Sequence, residues 1–175
     1  FDLNAQRYTK GKQVKVFELD QTNTQKVKLE TLKKANIDRD WIQYIPVDYS
    51  KESWTEKLLA AGFIKNKKTL FLWQSVSMYL EEDVAKDALQ KMSDLSAEGS
   101  IVAQDLYSKE FIRGESSSTA KKTASLFKRM GEPWKFGVDM QTDPRKSVEE
   151  FLSQCSLKMT KFYLFGEKLN TKPYY

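Results

Sequence analysis

The fold is decided by two stretches of similar design, Val14-Lys15-Val16-Phe17-Glu18-Leu19-Asp20 and Ile42-Gln43-Tyr44-Ile45-Pro46-Val47-Asp48. Each is a mainly apolar run that ends at an aspartate, and Pro46 cannot donate to a ladder, so pairing should stop beside it. Residues 22–35 lie between them and are rich in helix formers, with apolar positions for a buried face. The order strand, helix, strand predicts two parallel strands joined by a crossover helix.

The same alternation continues along the chain. We predict further strands at residues 69–73 and 101–106 and further helices at residues 53–61 and 81–95. Residues 69–73 are apolar without alternation, which is typical of a strand covered on both faces. The pattern predicts an α/β fold with a Rossmann-like, doubly wound, mostly parallel sheet. Four polar residues then end strands at one edge of that sheet: Asp20, Asp48, Gln74 and Asp105.

The last third of the chain follows a different pattern. Residues 113–123 are rich in Ser, Thr and Lys, which predicts a mobile connection, with residues 107–130 as a lid or insertion. We predict a turn at residues 131–134, a short helix at 147–154 and a final strand at 157–165. The length of 175 residues predicts a single domain, 1–175,.

Composition excludes several kinds of chemistry. Hydrophobic residues make up 40% of the chain, enough for a core, and histidine is absent. Without histidine, Ser-His-Asp and Cys-His catalysis and imidazole zinc sites are excluded, and no metal site is predicted. Cys155 is the one cysteine, so no internal disulfide can form,. Its mixed apolar surroundings predict a small core thiol rather than a nucleophile.

Charge and hydropathy bear on partners and location. The net charge is +5, but Lys is interleaved with Glu and Asp, as on a solvated surface,. We therefore expect no nucleic-acid partner. No apolar run reaches the length of about 18 residues that a spanning helix needs, so no membrane partner is expected. The chain does not open on a signal-like segment, which predicts a cytoplasmic location.

Strand-end carboxylates are suited to a nucleotide cofactor. In an open parallel sheet, ligands bind beyond the carboxyl ends of the strands, where a carboxylate can accept both hydroxyls of a ribose. Asp20 could instead cap the following helix, and Asp48 could form an Asx turn. Two such residues in successive units favour the ligand edge. Dinucleotide dehydrogenases use the same acid, so spacing leaves an NAD-dependent oxidoreductase open.

Five segments follow one another along the chain: Val16-Phe17-Glu18-Leu19-Asp20-Gln21, Ile45-Pro46-Val47-Asp48-Tyr49, Leu58-Leu59-Ala60-Ala61-Gly62-Phe63, Gln74-Ser75-Val76-Ser77-Met78-Tyr79-Leu80 and Gly131-Glu132-Pro133-Trp134-Lys135-Phe136-Gly137. In this order they resemble the motifs of the leucine carboxyl methyltransferase-like group of class I S-adenosylmethionine (SAM) enzymes. Each segment alone is weak evidence of the resemblance, but five in the same order are strong evidence. Together they cover nearly the whole chain.

The resemblance implies the cofactor SAM and a role for several residues. Asp20 would hold the ribose, while Asp48 and the backbone at Tyr49 would meet the adenine. Gln74 replaces a family glutamate near the cofactor. Tyr79 falls in the segment that borders the methyl-transfer pocket, where a half-buried packing aromatic is the alternative interpretation.

The resemblance also shows departures. Phe1-Asp2-Leu3-Asn4 is similar to the end of the family's glycine-rich cofactor loop. Asp2 is therefore a cofactor-binding candidate, and the fold is expected to lack its N-terminal part. Leu3 and Asn4 replace a threonine and an arginine of the family.

The function implied is SAM-dependent O-methyl transfer to a carboxylate or hydroxyl of a small molecule or a protein C-terminus. A carboxylate acceptor is ionised at neutral pH and needs no general base, which suits a chain without histidine. The alternatives are a non-catalytic SAM-binding protein, which the departures favour, and an NAD-dependent oxidoreductase.

Overall fold

The computed structural model describes residues 2–49 and 51–165 of an α/β chain. The chain divides into two compact units, with the boundary between Lys65 and Asn66. Each unit holds one pair of parallel strands. Among the described residues, no helix is both long and apolar enough to cross a membrane.

The first unit is built around residues 14–20 and 42–48. Its elements are α1 (Asn4–Thr9), β1 (Val16–Asp20), α2 (Thr22–Lys34), β2 (Ile42–Pro46) and α3 (Trp54–Ala60). Strands β1 and β2 are parallel, in register from Val16 opposite Ile42 to Asp20 opposite Pro46. The prediction of a parallel pair that stops beside Pro46 is confirmed. Helix α1 was not predicted.

A buried ion pair lies within the first unit. The Lys28 ammonium on α2 lies 2.7 Å from Oε1 of Glu18 on β1, and the two side chains are 3% and 17% exposed. Burial raises the pKa of Glu18 above its usual value, and the neighbouring ammonium offsets part of that rise. Burial and the charge of Glu18 together raise the pKa of Tyr44 to about 12. The pair thus fixes α2 against β1 through charge as well as apolar packing.

The second unit contains the other parallel pair and most of the helices. Its elements are β3 (Leu70–Trp73), a 3₁₀ helix (Ser77–Tyr79), α4 (Glu82–Leu95), β4 (Ile101–Gln104), α5 (Lys109–Ile112), α6 (Ser118–Arg129) and α7 (Pro144–Ser153). Leu70 pairs with Ile101 and Trp73 with Gln104. Cys155 is fully buried, and burial raises the pKa of its thiol. It is a core thiol, as predicted, and stays protonated at neutral pH.

Two predictions for the second unit are wrong: that β3 is covered on both faces, and that residues 157–165 form a strand. Strand β3 is covered on one face only, because Leu70 and Leu72 are 67% and 52% exposed while Trp73 is buried. No described element of the second unit covers that face. Residues 157–165 form no strand. The segment has no partner strand among the described residues, and a strand needs a partner for its backbone groups,.

The segment predicted as a mobile connection, residues 113–123, is partly helical. Helix α6 begins at Ser118, and the Ser117 hydroxyl caps it by accepting a hydrogen bond from Ala120 N at 3.0 Å. Ala120 is 2% exposed. Gly114 has φ +73°, and a Cβ there would lie 2.8 Å from Lys121 Cα. Close backbone approach at a small residue therefore anchors a segment with few large apolar side chains.

Candidate functional site

The carboxyl ends of β1 and β2 meet at one edge of the first unit. Asp20 lies opposite Pro46 in the register, and Val47 N donates to the Asp20 carbonyl at 2.9 Å. Asp48 follows Val47 directly. The structure therefore brings Asp20 and Asp48 to the same strand-end edge, as the sequence predicted.

The Asp20 carboxylate is positioned as a strand-end acceptor and not as a helix cap. Its Oδ1 accepts a hydrogen bond from Gln21 N at 2.7 Å. Helix α2 has Gln21 at its N-cap position and no side-chain capping hydrogen bond. The second oxygen, Oδ2, accepts no hydrogen bond from any residue that the structure describes. Asp20 can therefore accept further donors from a ligand.

Tyr49 lies across the end of β1. Its hydroxyl donates to the Leu19 carbonyl at 3.3 Å. Burial raises the pKa of Tyr49 well above its usual value, and the negative charge of Asp20 raises it further. The hydroxyl stays protonated at neutral pH, so Tyr49 can donate a hydrogen bond there but is a poor base.

Asp48 opens the turn that leaves β2. Its carbonyl accepts from Lys51 N at 3.0 Å and Glu52 N at 2.8 Å, and its own N–H donates to Glu52 Oε2 at 2.8 Å. The Asp48 carboxylate also pairs with the Lys51 ammonium at 3.0 Å, in an exposed setting where such pairs contribute little,. The backbone and the Glu52 carboxylate therefore help to hold this turn.

Asp2 lies in front of α1. Its Oδ1 accepts a hydrogen bond from Asn4 N at 2.6 Å. The negative charge of Asp2 contributes to the raised pKa of Glu18, which places Asp2 within electrostatic reach of β1. Asp2, Asp20 and Asp48 therefore all belong to the first unit.

The strand-end edge of the second unit is organised by Asp105, which sequence reasoning placed at an edge without giving it a role. The carboxylate accepts from Ser75 N at 2.7 Å and from the Ser75 hydroxyl at 3.2 Å. The Ser77 hydroxyl donates to the Asp105 carbonyl at 3.3 Å. Ser75 has φ +55°, an unusual conformation for a residue other than glycine,. Asp105 thus clamps the loop that follows β3.

Two glutamines occupy the same edge of the second unit. Gln74 directly follows β3 and is exposed. Gln104 ends β4, and its Oε1 is buried without a hydrogen-bond partner among the described residues. An unpaired buried acceptor is unfavourable. No signal in the sequence distinguished Gln104 from an ordinary strand residue.

Tyr79 lies next to a stack of aromatic rings. The Met78 carbonyl accepts from Lys135 N at 2.7 Å and from Phe136 N at 3.3 Å, which brings Tyr79 beside Trp134. Ring centroids are 5.6, 5.2 and 5.1 Å apart in the pairs Tyr107–Phe111, Phe111–Trp134 and Phe127–Trp134.

The protonation of Tyr79 follows from this position. Burial raises the pKa of Tyr79, and the nearby indole of Trp134 lowers it in part. Trp134 Nε1 itself is buried and completes no hydrogen bond of good geometry with a described residue. Tyr79 is therefore a half-buried, protonated phenol beside the stack.

Replacing Asp105 by alanine is expected to lower the free energy of unfolding of the second unit by about 1–3 kcal/mol. The change leaves the Ser75 amide without its acceptor in a strained backbone conformation. Thermal or urea unfolding would measure the loss, and Asp94→Ala, an exposed helix carboxylate, is the control. A loss no larger than that of Asp94→Ala would contradict the clamp.

Comparison with known proteins extends these observations. The family model of leucine carboxyl methyltransferases matches residues 1–93. A Mycobacterium bovis protein named as a proposed S-adenosyl-L-methionine-dependent methyltransferase is 27% identical over 160 residues, covering 87% of this chain and 48% of the relative. A Bacillus subtilis protein of the same description is 30% identical over 130 residues, covering 70% of this chain and 40% of the relative. The chain thus spans less than half the length of these curated relatives.

Proposed function

Since the chain belongs to the leucine carboxyl methyltransferase family, we propose that it binds S-adenosylmethionine and acts as a SAM-dependent methyltransferase. One observation carries the proposal: Asp20 lies at the carboxyl end of β1, beside Asp48 and Tyr49, with an oxygen that no described residue occupies. A Rossmann-like, doubly wound sheet and a single domain over residues 1–175 are part of the same proposal. Both parallel pairs and their crossover helices support it,.

In the proposed complex, Asp20 accepts the two ribose hydroxyls, an arrangement that a carboxylate supports with both oxygens. Asp48 and the backbone at Tyr49 meet the adenine. Asp2 and Gln74 are the further cofactor-binding candidates. Gln74 offers an amide where the family has a carboxylate. Its oxygen can still accept a hydrogen bond, and its nitrogen can donate one.

The reaction needs little acid–base chemistry from the chain. SAM supplies an already activated methyl group, and the protein's residues align the acceptor and exclude water. Burial raises the pKa of both Tyr49 and Tyr79, so neither phenol is a ready base at neutral pH. These observations favour a carboxylate acceptor, on a small molecule or a protein C-terminus, over a hydroxyl that would need deprotonation. Tyr79 would then border the acceptor as a hydrogen-bond donor.

Replacing Asp20 by alanine is expected to weaken SAM binding by about 10- to 150-fold, because charge-assisted hydrogen bonds to the ribose are lost. Titration calorimetry with SAM and, separately, with NAD would measure the affinities. Asp40→Ala is the matched control, since Asp40 is an exposed carboxylate that lies before β2 at its opposite end.

The stability of the Asp20→Ala variant is expected to change by less than about 1 kcal/mol, the contribution of a typical cap. Unchanged SAM affinity would refute the proposed role of Asp20. Tighter binding of NAD than of SAM would instead support an oxidoreductase.

A non-catalytic SAM-binding protein is the second candidate function. Leu3, Asn4 and Gln74 depart from the residues that the family pattern carries at those positions. Transfer of a labelled methyl group from SAM to carboxylate acceptors separates the two functions. SAM binding without any transfer, under conditions where a homologous methyltransferase is active, would favour the non-catalytic role.

A further inference from the structure

The loop that follows β3 carries two residues of the proposed site. Gln74, a cofactor-binding candidate, begins the loop, and Tyr79, which borders the proposed acceptor, ends the 3₁₀ helix in it. Gln74 is exposed, whereas Ser77 and Met78 are 1% and 4% exposed. An exposed candidate therefore sits on a loop whose other half is buried.

The loop is fixed on both sides of Ser75. Trp73, before it, is held by the pairing of β3 with β4. Beyond it, the Ser77 hydroxyl donates a hydrogen bond at 3.3 Å, and the Met78 carbonyl accepts one at 2.7 Å. Because these points cannot follow a rotation of the backbone at Ser75, the neighbouring residue Gln74 must absorb much of it.

The conformation of Ser75 depends on Asp105. Ser75 has φ +55°, in the left-handed region that residues other than glycine rarely adopt,. The Asp105 carboxylate accepts from both donors of Ser75, the amide at 2.7 Å and the hydroxyl at 3.2 Å. Ser75 is exposed, so water could replace the acceptor of its amide. Water would not, however, restrain the backbone as a fixed carboxylate does.

We propose that Asp105 is a positioning residue for SAM binding, whose carboxylate holds Ser75 in the left-handed conformation and thereby directs Gln74 toward the cofactor. The inference rests on the proposed function, in which Gln74 is a cofactor-binding candidate. Asp105 acts through Ser75 and need not touch the cofactor. Without the carboxylate, Ser75 relaxes to a negative φ, and Gln74 turns away from the direction in which it binds.

Titration calorimetry with SAM on the full chain measures the effect. Asp105→Ala is expected to weaken SAM binding about 3- to 10-fold at a temperature where circular dichroism shows the variant folded, because the hydrogen bond from Gln74 is lost. Asp105→Asn keeps an acceptor for the Ser75 amide and should bind SAM within about 2-fold of the wild-type chain. Asp94→Ala, at an exposed carboxylate of α4, is the control and should leave the affinity unchanged.

A glycine at position 75 separates positioning from stability. Glycine adopts a positive φ readily, so Ser75→Gly combined with Asp105→Ala is expected to restore the SAM affinity to within about 2-fold of wild type. Ser156 is a matched control, since it is also a serine in the left-handed region, with φ +58°. Ser156→Gly combined with Asp105→Ala should bind SAM as weakly as Asp105→Ala alone.

The outcomes distinguish this inference from the proposed function. Suppose that the wild-type chain binds SAM but Asp105→Ala binds it equally well, or that Ser75→Gly restores nothing. Either result would overturn the positioning role and leave the proposed function standing. A wild-type chain that does not bind SAM would overturn the proposed function and the role of Asp105 with it.

Discussion

Replacing Lys28 by methionine is expected to lower the free energy of unfolding by about 3–5 kcal/mol at pH 7. The Lys28 ammonium and the Glu18 carboxylate are 2.7 Å apart and nearly inaccessible to water. Removing the cation leaves a buried carboxylate without its counter-charge, which is far less favourable than removing both charges. Urea unfolding at pH 7 measures the loss. Lys26→Met on the exposed side of the same helix is the control and should change stability by less than about 0.5 kcal/mol.

The pH dependence of that loss identifies its cause. Burial already raises the pKa of Glu18 above its usual 4.5 in the folded protein, and loss of the ammonium would raise it further. A raised carboxyl pKa means that the folded state binds the proton more tightly than the unfolded state, so stability falls as pH rises through this range. The defect of Lys28→Met should therefore be largest at pH 7 and shrink as Glu18 becomes protonated on acidification.

A double variant completes the test of the ion pair. Glu18→Leu combined with Lys28→Met removes both charges, and we expect it to recover most of the stability that the single change loses. A single variant that loses less than about 1 kcal/mol, or a loss that is the same at acidic and neutral pH, would refute the role given to the pair.

Replacing Gly137 by alanine is expected to destabilise the second unit by about 3 kcal/mol or more, at the upper end of the range for overpacking. An added Cβ would lie 2.9 Å from three atoms, namely Ile112 Cγ1, Lys109 N and Ser108 C. Two of these are backbone atoms and cannot rotate away. The next residue, Val138, exchanges backbone hydrogen bonds with Tyr107 and Lys109 at 2.8 and 2.9 Å, and these would have to shift.

The Gly137→Ala variant should also disturb the aromatic stack, because Tyr107 and Trp134 flank the strained contact. Near-ultraviolet circular dichroism would report the stack, and urea unfolding the stability. Gly131→Ala is a useful comparison, since a Cβ there meets no atom within 4 Å but the backbone has φ +83°. Its conformational cost is about 1–2 kcal/mol. Equal losses in the two variants would contradict the steric explanation.

Local rules predicted the strand pairs well. Strands β1 and β2 each end where an aspartate or a proline interrupts an apolar run, and both features are visible within a few residues. Residues 157–165 are also rich in large apolar side chains but form no strand. The difference lies in the availability of a partner, which no local pattern encodes. Helix α6 shows the converse, because the close contact at Gly114, the buried Ala120 and the Phe127–Trp134 ring contact order a segment whose composition predicted a mobile connection.

Part of the candidate site could likewise be predicted from local sequence and part could not. Asp20 and Asp48 were predictable because their position depends only on where each strand ends and on the strands being parallel. The clamp from Asp105 to Ser75 and the unpaired oxygen of Gln104 were not predictable. They depend on which segments meet in space, and on a geometry that leaves a polar atom just out of reach of any donor.

The parallel pairing of each unit also sets the order of events during synthesis. An antiparallel hairpin can close when its turn emerges, but a parallel strand must wait for the whole crossover and its partner. The apolar residues of β1 wait until β2 ends at Pro46, and Leu70, Phe71 and Leu72 of β3 wait until β4 ends at Gln104. During that interval β3 is an unpaired apolar segment on a nascent chain, the kind of segment that chaperones bind. Slower elongation through α4 would therefore prolong the exposure of β3 to them.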